Sequence, residues 1–114
     1  MIYSESLKKN TDFQKVYKER KSFANRNLVM YIIKNDLQKN RIGISVSKKV
    51  GNSIVRHRLT RLIREAYRLN ESAFLCGYDI VIVARVNAKG SGYKDIESAL
   101  LHLGRLHHIT EKTL

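Results

Sequence analysis

The spacing of the apolar residues changes once within residues 41–69, from every second residue to helical spacing. This change is the strongest constraint on the fold. Over residues 41–47 every second side chain is apolar, namely Ile42, Ile44 and Val46. This alternation predicts a β-strand with one buried face. Asn52 or Ser53 can cap the helix that follows, and its apolar residues recur at helical spacing to about Leu69. A strand joined by one short turn to a long helix predicts a fold that combines both elements.

Two further helices and further strands are predicted around this segment. A helix begins in the capping segment 10–12 and ends at about residue 20, and a last helix covers about residues 93–108. Apolar segments predict strands over 22–24, 28–34 and 79–86. The last of these is apolar on both faces, as is typical of a central strand.

The arrangement of these elements predicts an α+β fold. The polar residues 35–40 predict a hairpin connection between two successive strands. A chain of 114 residues, 43% of them hydrophobic, is expected to form one domain over residues 1–114. We therefore expect a two-layer α/β sandwich with about four strands in a mixed sheet and three helices, in the order α-β-β-β-α-β-α.

The charge of the chain indicates its class of partner. Twenty-two Lys and Arg residues against ten Asp and Glu give a formal charge of +12, which favours a polyanion. No apolar segment approaches the roughly 20 residues that cross a bilayer, so no membrane partner is expected. Residues 1–5 lack the features of a secretory signal, and Cys76 is the single cysteine. A cytoplasmic protein is expected.

The long helix has one strongly basic face. Residues 41–68 contain one acid, Glu65, and eight basic residues, namely Arg41, Lys48, Lys49, Arg56, Arg58, Arg61, Arg64 and Arg68. Helical spacing places the apolar residues on one face of the helix. The opposite face carries His57, Arg58, Arg61, Arg64 and Arg68. Arg56 falls at the border. One interpretation is that this face is only solvated. Nucleic-acid contact is favoured instead, because unpaired like charges destabilise a helix and because the arginine side chain is well shaped to bind phosphate.

A small face on the predicted strand 41–47 is a second candidate surface. It is formed by Gly43, Ser45 and Ser47, which leave room for a single-stranded nucleic acid. Neighbouring aromatic residues, Phe13, Tyr17 and Tyr31, could stack on its bases. The alternative interpretation is that Phe13 and Tyr17 only fix the first helix to the sheet.

The sequence offers no convincing catalytic or metal site. Acid–base cleavage of RNA needs two histidines at one phosphate. The chain has four histidines, namely His57, His102, His107 and His108, whose positions do not predict such a pair. The acids are scattered, and Cys76 with these histidines matches no zinc-site spacing. We therefore expect no catalytic residue and no metal ligand in the protein itself.

Residues 48–65 resemble the signature of the bacterial ribonuclease P protein subunit. The shared features are the lysine pair Lys48-Lys49, the Gly51-Asn52 turn, a basic triplet and a further basic and apolar segment. Segments 12–17, 41–47 and 79–85 also resemble this family, so the likeness covers nearly the whole chain. In the triplet the family usually has asparagine where this chain has His57, whose imidazole can still donate one hydrogen bond and accept another.

The resemblance implies that the protein is a subunit of an RNA-based endonuclease that removes the 5′ leader from precursor tRNA. It implies contacts with the catalytic RNA at Lys48, Lys49, Asn52, Arg56, His57, Arg58, Arg61, Arg64 and Arg68. It implies leader contacts at Phe13, Tyr17, Tyr31, Ser45 and Ser47. Chemistry is then expected from the RNA with Mg²⁺, which the RNA mainly holds, and the protein alone is expected to be inactive. A left-handed strand–helix–strand crossover is implied as well, against the usual right-handed sense.

Two other classes of protein share parts of this pattern. A non-catalytic binder of structured RNA, such as a ribosomal protein, would have the same composition and basic helix. A helix-turn-helix DNA-binding protein would need a short helix just before the long one, and the sequence predicts a strand there.

Overall fold

The computed structural model describes residues 4–111. The segment at residues 1–5, for which the sequence predicts no secretory signal, lies partly outside the described residues. The helices are α1 (Asn10–Lys18), α2 (Ser53–Leu69) and α3 (Tyr93–Leu106). The strands are β1 (Ser4–Ser6), β2 (Ser22–Ala24), β3 (Leu28–Lys34), β4 (Asn40–Ser45) and β5 (Tyr78–Ala84). All three predicted helices are confirmed.

Local chemistry explains where the helices begin and end. Asn52 caps α2, because its side-chain oxygen accepts the Val55 N–H at 3.0 Å. Helix α3 ends at Leu106, before the predicted limit of residue 108, because His108 adopts a left-handed backbone with φ of 58°. Arg20, with φ of 56°, likewise lies just beyond the end of α1.

The strands form one five-stranded mixed sheet in the order β1-β4-β5-β3-β2. The central position of β5 confirms the prediction from its two apolar faces. The predicted hairpin at residues 35–40 is wrong, because β5 lies between β3 and β4 and pairs with both. Strand β1 adds a fifth strand to the four expected, since Ser4–Ser6 pairs in parallel with β4 although its residues are polar.

Helix α2 is the crossover between two neighbouring parallel strands. Strands β4 and β5 pair in parallel, with Gly43 opposite Val81, and α2 lies between them in the chain. The left-handed sense implied by the family resemblance stays a prediction.

The sheet is covered unequally on its two faces. Helices α2 and α3 pack on one face over the main core, which contains Leu59, Ile63, Ile82 and Leu100 among its buried residues. Helix α1 contacts β3 and β5 on the other face, where a smaller core contains Leu7, Val16 and Val81. Because α1 has only 9 residues, it covers only part of this second face.

Candidate RNA-binding surfaces

Helix α2 presents its basic residues to solvent, as helical spacing predicts. Its buried residues are Leu59, Ile63, Ala66 and Tyr67. The exposed basic face consists of His57, Arg58, Arg61 and Arg64. None of these four forms an ion pair with another residue between 4 and 111. This surface, the α2 basic face, is positively charged and free to bind phosphate.

Two of the eight basic residues in segment 41–68 are already paired. Arg68 pairs with Glu65, one turn earlier on α2, through an Nε–Oε2 hydrogen bond of 3.1 Å. The expectation that the like charges of this face are unpaired is therefore wrong for Arg68. Arg41 lies on the opposite face of the sheet and forms a two-bond contact with Asp79, at 2.8 and 2.6 Å. Neither charge is fully available to a nucleic acid.

The contact with Arg41 is what keeps Asp79 charged in the interior. Asp79 is 2% exposed. Burial alone would raise the pKa of its carboxyl group, but hydrogen bonds from Arg41 and Asn35 and the positive charge of Arg41 outweigh burial and lower it. Arg41 therefore has a structural role in joining β4 to β5.

Arg56 differs from the other arginines of α2. It is half-buried, and its Nε is buried without a hydrogen-bond partner among residues 4–111. The structure thus confirms that Arg56 lies at the border between the apolar and basic sides.

The turn before α2 combines exposed lysines with a structural cap. Lys48 and Lys49 are exposed, and neither forms an ion pair within the described part of the chain. Asn52 uses its side-chain oxygen to cap α2, while the NH₂ group of the same side chain can donate hydrogen bonds to RNA. Gly51 is required nearby, because a Cβ there would lie 2.8 Å from the Val55 side chain.

The predicted small face of β4 is only partly open. Gly43 is buried because the Phe13 ring occupies the space beside it. The expectation that this glycine leaves room for a nucleic acid is therefore wrong. Ser45 is half-buried, and Ser47 is exposed just beyond the end of β4.

The aromatic residues of α1 and β3 form a connected group. Tyr17 contacts Tyr31 edge-to-face with ring centroids 4.9 Å apart, and Phe13 lies 6.4 Å from Tyr17. All three side chains pack against the smaller core but remain half-buried rather than fully enclosed. They thus fix α1 to the sheet and still expose part of their surfaces, so the two interpretations of Phe13 and Tyr17 are compatible.

A half-open strip of the sheet lies beside these rings. The register places Gly43, Val81 and Tyr31 in one row across β4, β5 and β3, under α1. The next row consists of Ser45, Val83 and Val29, all half-buried. We call this strip, together with Phe13, Tyr17 and Tyr31, the groove. The groove therefore combines small, half-buried side chains with neighbouring aromatic rings.

Arg85 is a candidate residue that the sequence reasoning missed. Its extended backbone (φ −89°, ψ 160°) continues the alternation of β5, which places it on the same face as Val83. Its guanidinium donates to the Asn25 carbonyl at 2.8 Å, and with Ser47 and Lys49 it lines a cleft of about 290 Å³. The sequence feature that indicates Arg85 is the two-residue alternation of β5, because continuing it past the apolar segment places Arg85 on the same face as Val83.

The histidines have separate structural environments. His107 is 7% exposed, and its Nε2 hydrogen-bonds the Met30 carbonyl at 2.8 Å. His102 contacts the Asn25 amide at 3.2 Å, whereas His57 is exposed on α2. Within residues 4–111 no three His, Cys, Asp or Glu side chains are grouped so that they could hold a metal ion. In the same range no helix has the length and apolar character needed to cross a membrane.

These features define a class of protein: a basic α+β protein with an exposed arginine-rich helix on one side of a mixed sheet and a half-open aromatic groove on the other. The family model for ribonuclease P matches residues 1–107. The chain belongs to the ribonuclease P protein family. The protein is therefore a subunit of the ribonucleoprotein that cleaves precursor tRNA, and the alternative of a ribosomal type of RNA binder is not favoured.

Individual relatives agree with this assignment. The ribonuclease P protein component of Lachnoclostridium phytofermentans is 64% identical over 106 residues, which are 93% of this chain and 91% of that protein. The structure of the Staphylococcus aureus RNase P protein superposes with a TM-score of 0.85 at 38% identity, covering 93% of this chain and 97% of that one. The RNase P protein from Thermotoga maritima gives a TM-score of 0.80 at 32% identity, with 89% and 96% covered.

Proposed function

We propose that this protein holds the two RNAs of the reaction on separate surfaces, the catalytic RNA on the α2 basic face and the 5′ leader of precursor tRNA in the groove. The observation that carries this proposal is the different construction of the two surfaces. One is a set of exposed cations without an ion-pair partner among residues 4–111, and the other is a half-open strip with aromatic rings. Because they lie on elements that pack on opposite faces of the sheet, both RNAs can bind at once.

The α2 basic face is suited to a folded RNA. Arg58, Arg61 and Arg64 follow one another at helical spacing and are free of protein carboxylates in the described chain. Guanidinium groups in such a row can bind successive phosphates, and sequence is not read by such contacts. Lys48 and Lys49 extend the same charge before the helix.

The groove is suited to a single strand of variable sequence. Every base has a π-face, so stacking on Tyr17, Tyr31 or the exposed part of Phe13 does not require one particular leader. Ser45 and Val83 are small enough to let a strand lie close to the sheet. Arg85, at the end of the groove, is held by the Asn25 carbonyl and is placed to contact a leader phosphate.

We assign the chemistry to the RNA partner and to Mg²⁺ held mainly by that RNA. The protein's contribution is to bind and orient its two RNA partners. The buried carboxylate of Asp79 accepts hydrogen bonds from Arg41 and Asn35. The imidazole of His107 hydrogen-bonds a backbone carbonyl. As a tRNA-processing subunit the protein is expected to act in the cytoplasm.

Reconstitution tests this division of labour. The protein is mixed with the catalytic RNA, and cleavage of precursor tRNA is followed at low magnesium with and without the protein. We expect the protein to increase cleavage at the mature 5′ end and to be inactive without the RNA at any pH. Cleavage by RNA-free protein that disappears on replacing His57, His102, His107 and His108 would overturn the assignment.

A further inference from the structure

A second basic cleft lies beside the C-terminal end of α1, outside both surfaces described above. It encloses about 360 Å³, and its lining includes Lys15, Glu19, Lys21, Ile33 and Lys34. None of the three lysines forms an ion pair with another residue in the 4–111 range. Three cations and one acid give the cleft a net positive charge that the proposed function does not use.

The free edge of β3 forms part of this cleft. Strand β2 pairs with β3 only as far as Ser22 opposite Tyr31, and the Ile32 N–H then donates to the Lys21 carbonyl at 3.1 Å. Backbone groups alternate in direction along an antiparallel strand, so the Lys34 N–H points to the same side as that of Ile32. Among the described residues no strand pairs with β3 there. A backbone donor is therefore available beside the lysines.

The cleft and the groove lie along the same strand, β3, on either side of the contact between Tyr17 and Tyr31. Along β3, Val29 lies in the groove, Tyr31 lies against Tyr17, and Ile33 lines the cleft. At about 3.3 Å per residue, Val29 and Ile33 are roughly 13 Å apart. Helix α1 ends at Lys18 and the exposed β2 begins at Ser22, so an RNA strand that extends from the groove to the cleft has to pass over the short link at residues 19–21 or around the edge of β2.

We propose that this cleft binds phosphates of the distal part of the leader, upstream of the nucleotides in the groove. The inference rests on the proposed leader-binding function and extends it to longer leaders. A polyanion fits better than a single small anion, because Glu19 repels an isolated anion whereas a strand can contact several lysines that are spread along the cleft. A second copy of this chain does not fit, because each carries a formal charge of +12.

Two structural roles are alternative explanations for lysines at these positions. Cations near a helix C-terminus stabilise the helix, and lysines on a sheet edge prevent unwanted pairing. Both roles affect folding or solubility and neither depends on leader length. Binding measured against leader length therefore separates them from the proposal.

The experiment uses the reconstituted holoenzyme and three RNAs: mature tRNA, a precursor whose leader just fills the groove, and a precursor whose leader is several nucleotides longer. The double variant Lys21→Gln with Lys34→Gln is compared with the wild type and with a matched control, Lys89→Gln with Lys94→Gln, which removes two exposed lysines elsewhere. We expect the double variant to bind the long-leader precursor about three- to tenfold more weakly. Its affinities for the short-leader precursor and for mature tRNA should stay at the wild-type level.

The salt dependence provides a second measurement. For the long leader alone, the slope of log affinity against log salt should fall by about 0.7 for each phosphate that the variant no longer neutralises. Equal weakening for all three RNAs would place the catalytic RNA or the tRNA body at the cleft and overturn the proposal. No weakening, or the same weakening in the control variant, would also overturn it.

The design separates failure of this inference from failure of the proposed function. Preference of the wild type for the short-leader precursor over mature tRNA tests whether the groove binds the leader. If that preference is present and depends on the groove, but the longer leader adds no affinity that depends on Lys21 and Lys34, only the cleft proposal fails.

Discussion

The ring of Phe13 lies so close to Gly43 that a Cβ atom added to this glycine would come within 2.6 Å of the ring. Gly43 sits in the middle of β4 and Phe13 in the first half of α1, so this contact sets how near the helix lies to the sheet. Because Phe13 also borders the groove, the same contact determines part of the groove's shape.

Replacing Gly43 with alanine should therefore destabilise the protein. The added methyl group overpacks the smaller core and should lower the free energy of unfolding by about 1–3 kcal/mol, measured by urea unfolding. The double variant with Phe13→Leu supplies the control, since a shorter side chain makes room for the methyl group. Strict additivity of the two changes would show that the ring is not what the methyl group displaces.

Removing the arginines of the α2 basic face should weaken RNA binding without affecting folding. Replacement of Arg58, Arg61 and Arg64 by glutamine should reduce the salt slope for the catalytic RNA by about 0.7–0.9 for each phosphate that is no longer neutralised, while thermal melting stays nearly unchanged. Arg68→Gln is the matched control, because Glu65 already pairs with that guanidinium and its effect should be smaller. An unchanged slope in the triple variant would mean that this face is merely solvated.

Filling the groove should affect precursor tRNA but not mature tRNA. Ser45→Leu puts a bulky side chain beside Val83 and should remove stacking of at least one leader base, at a cost of about 1–3 kcal/mol in precursor affinity. Ser98→Leu, on the exposed side of α3, controls for added hydrophobic surface. The ratio of precursor to mature tRNA affinity in the holoenzyme is the measurement, and a ratio that does not change would contradict the groove assignment.

Phe13→Ala distinguishes packing from stacking at the same site. The ring contributes to both in the structure, so we expect a lower melting temperature together with a lower precursor-to-mature affinity ratio. A lower melting temperature with an unchanged ratio would assign Phe13 to the core alone.

The buried His107 should make stability depend on pH. Burial lowers the pKa of its imidazole, although the bond to the Met30 carbonyl opposes this. Since that carbonyl is an acceptor, Nε2 carries the proton, and protonation of Nδ1 would create a donor that has no partner among residues 4–111. With a folded-state pKa below the unfolded value of about 6.5, stability is present above that pH and declines as the pH falls through the folded-state value.

The test of His107 compares thermal melts from about pH 8 down to pH 5. His107→Phe keeps an aromatic ring next to Phe23 and should flatten the decline, whereas the exposed His108→Gln should retain it. An unaltered decline in His107→Phe would assign the pH dependence to other groups.

The sequence by itself determined the elements whose pattern is local. The two-residue period of β4, the helical period of α2 and the two apolar faces of β5 all predicted what the structure contains, and of the two predicted caps of α2, Asn52 and Ser53, the structure selects Asn52. The exposed direction of Arg58, Arg61 and Arg64 followed from the same helical period, because side-chain direction in a helix depends only on neighbouring positions. The signature at the centre of the family resemblance, residues 48–65, includes most of this helix.

Only the tertiary structure decided which distant residues meet. Strand β5 separates β3 from β4 because its apolar faces need cover on both sides, and no local pattern at residues 35–40 could indicate this. The pairing of Arg41 with Asp79, the contact of Phe13 with Gly43 and the basic cleft at the free edge of β3 all join segments far apart in the chain. A period of two or 3.6 residues specifies the direction of a side chain, whereas its partner depends on how the whole sheet is assembled.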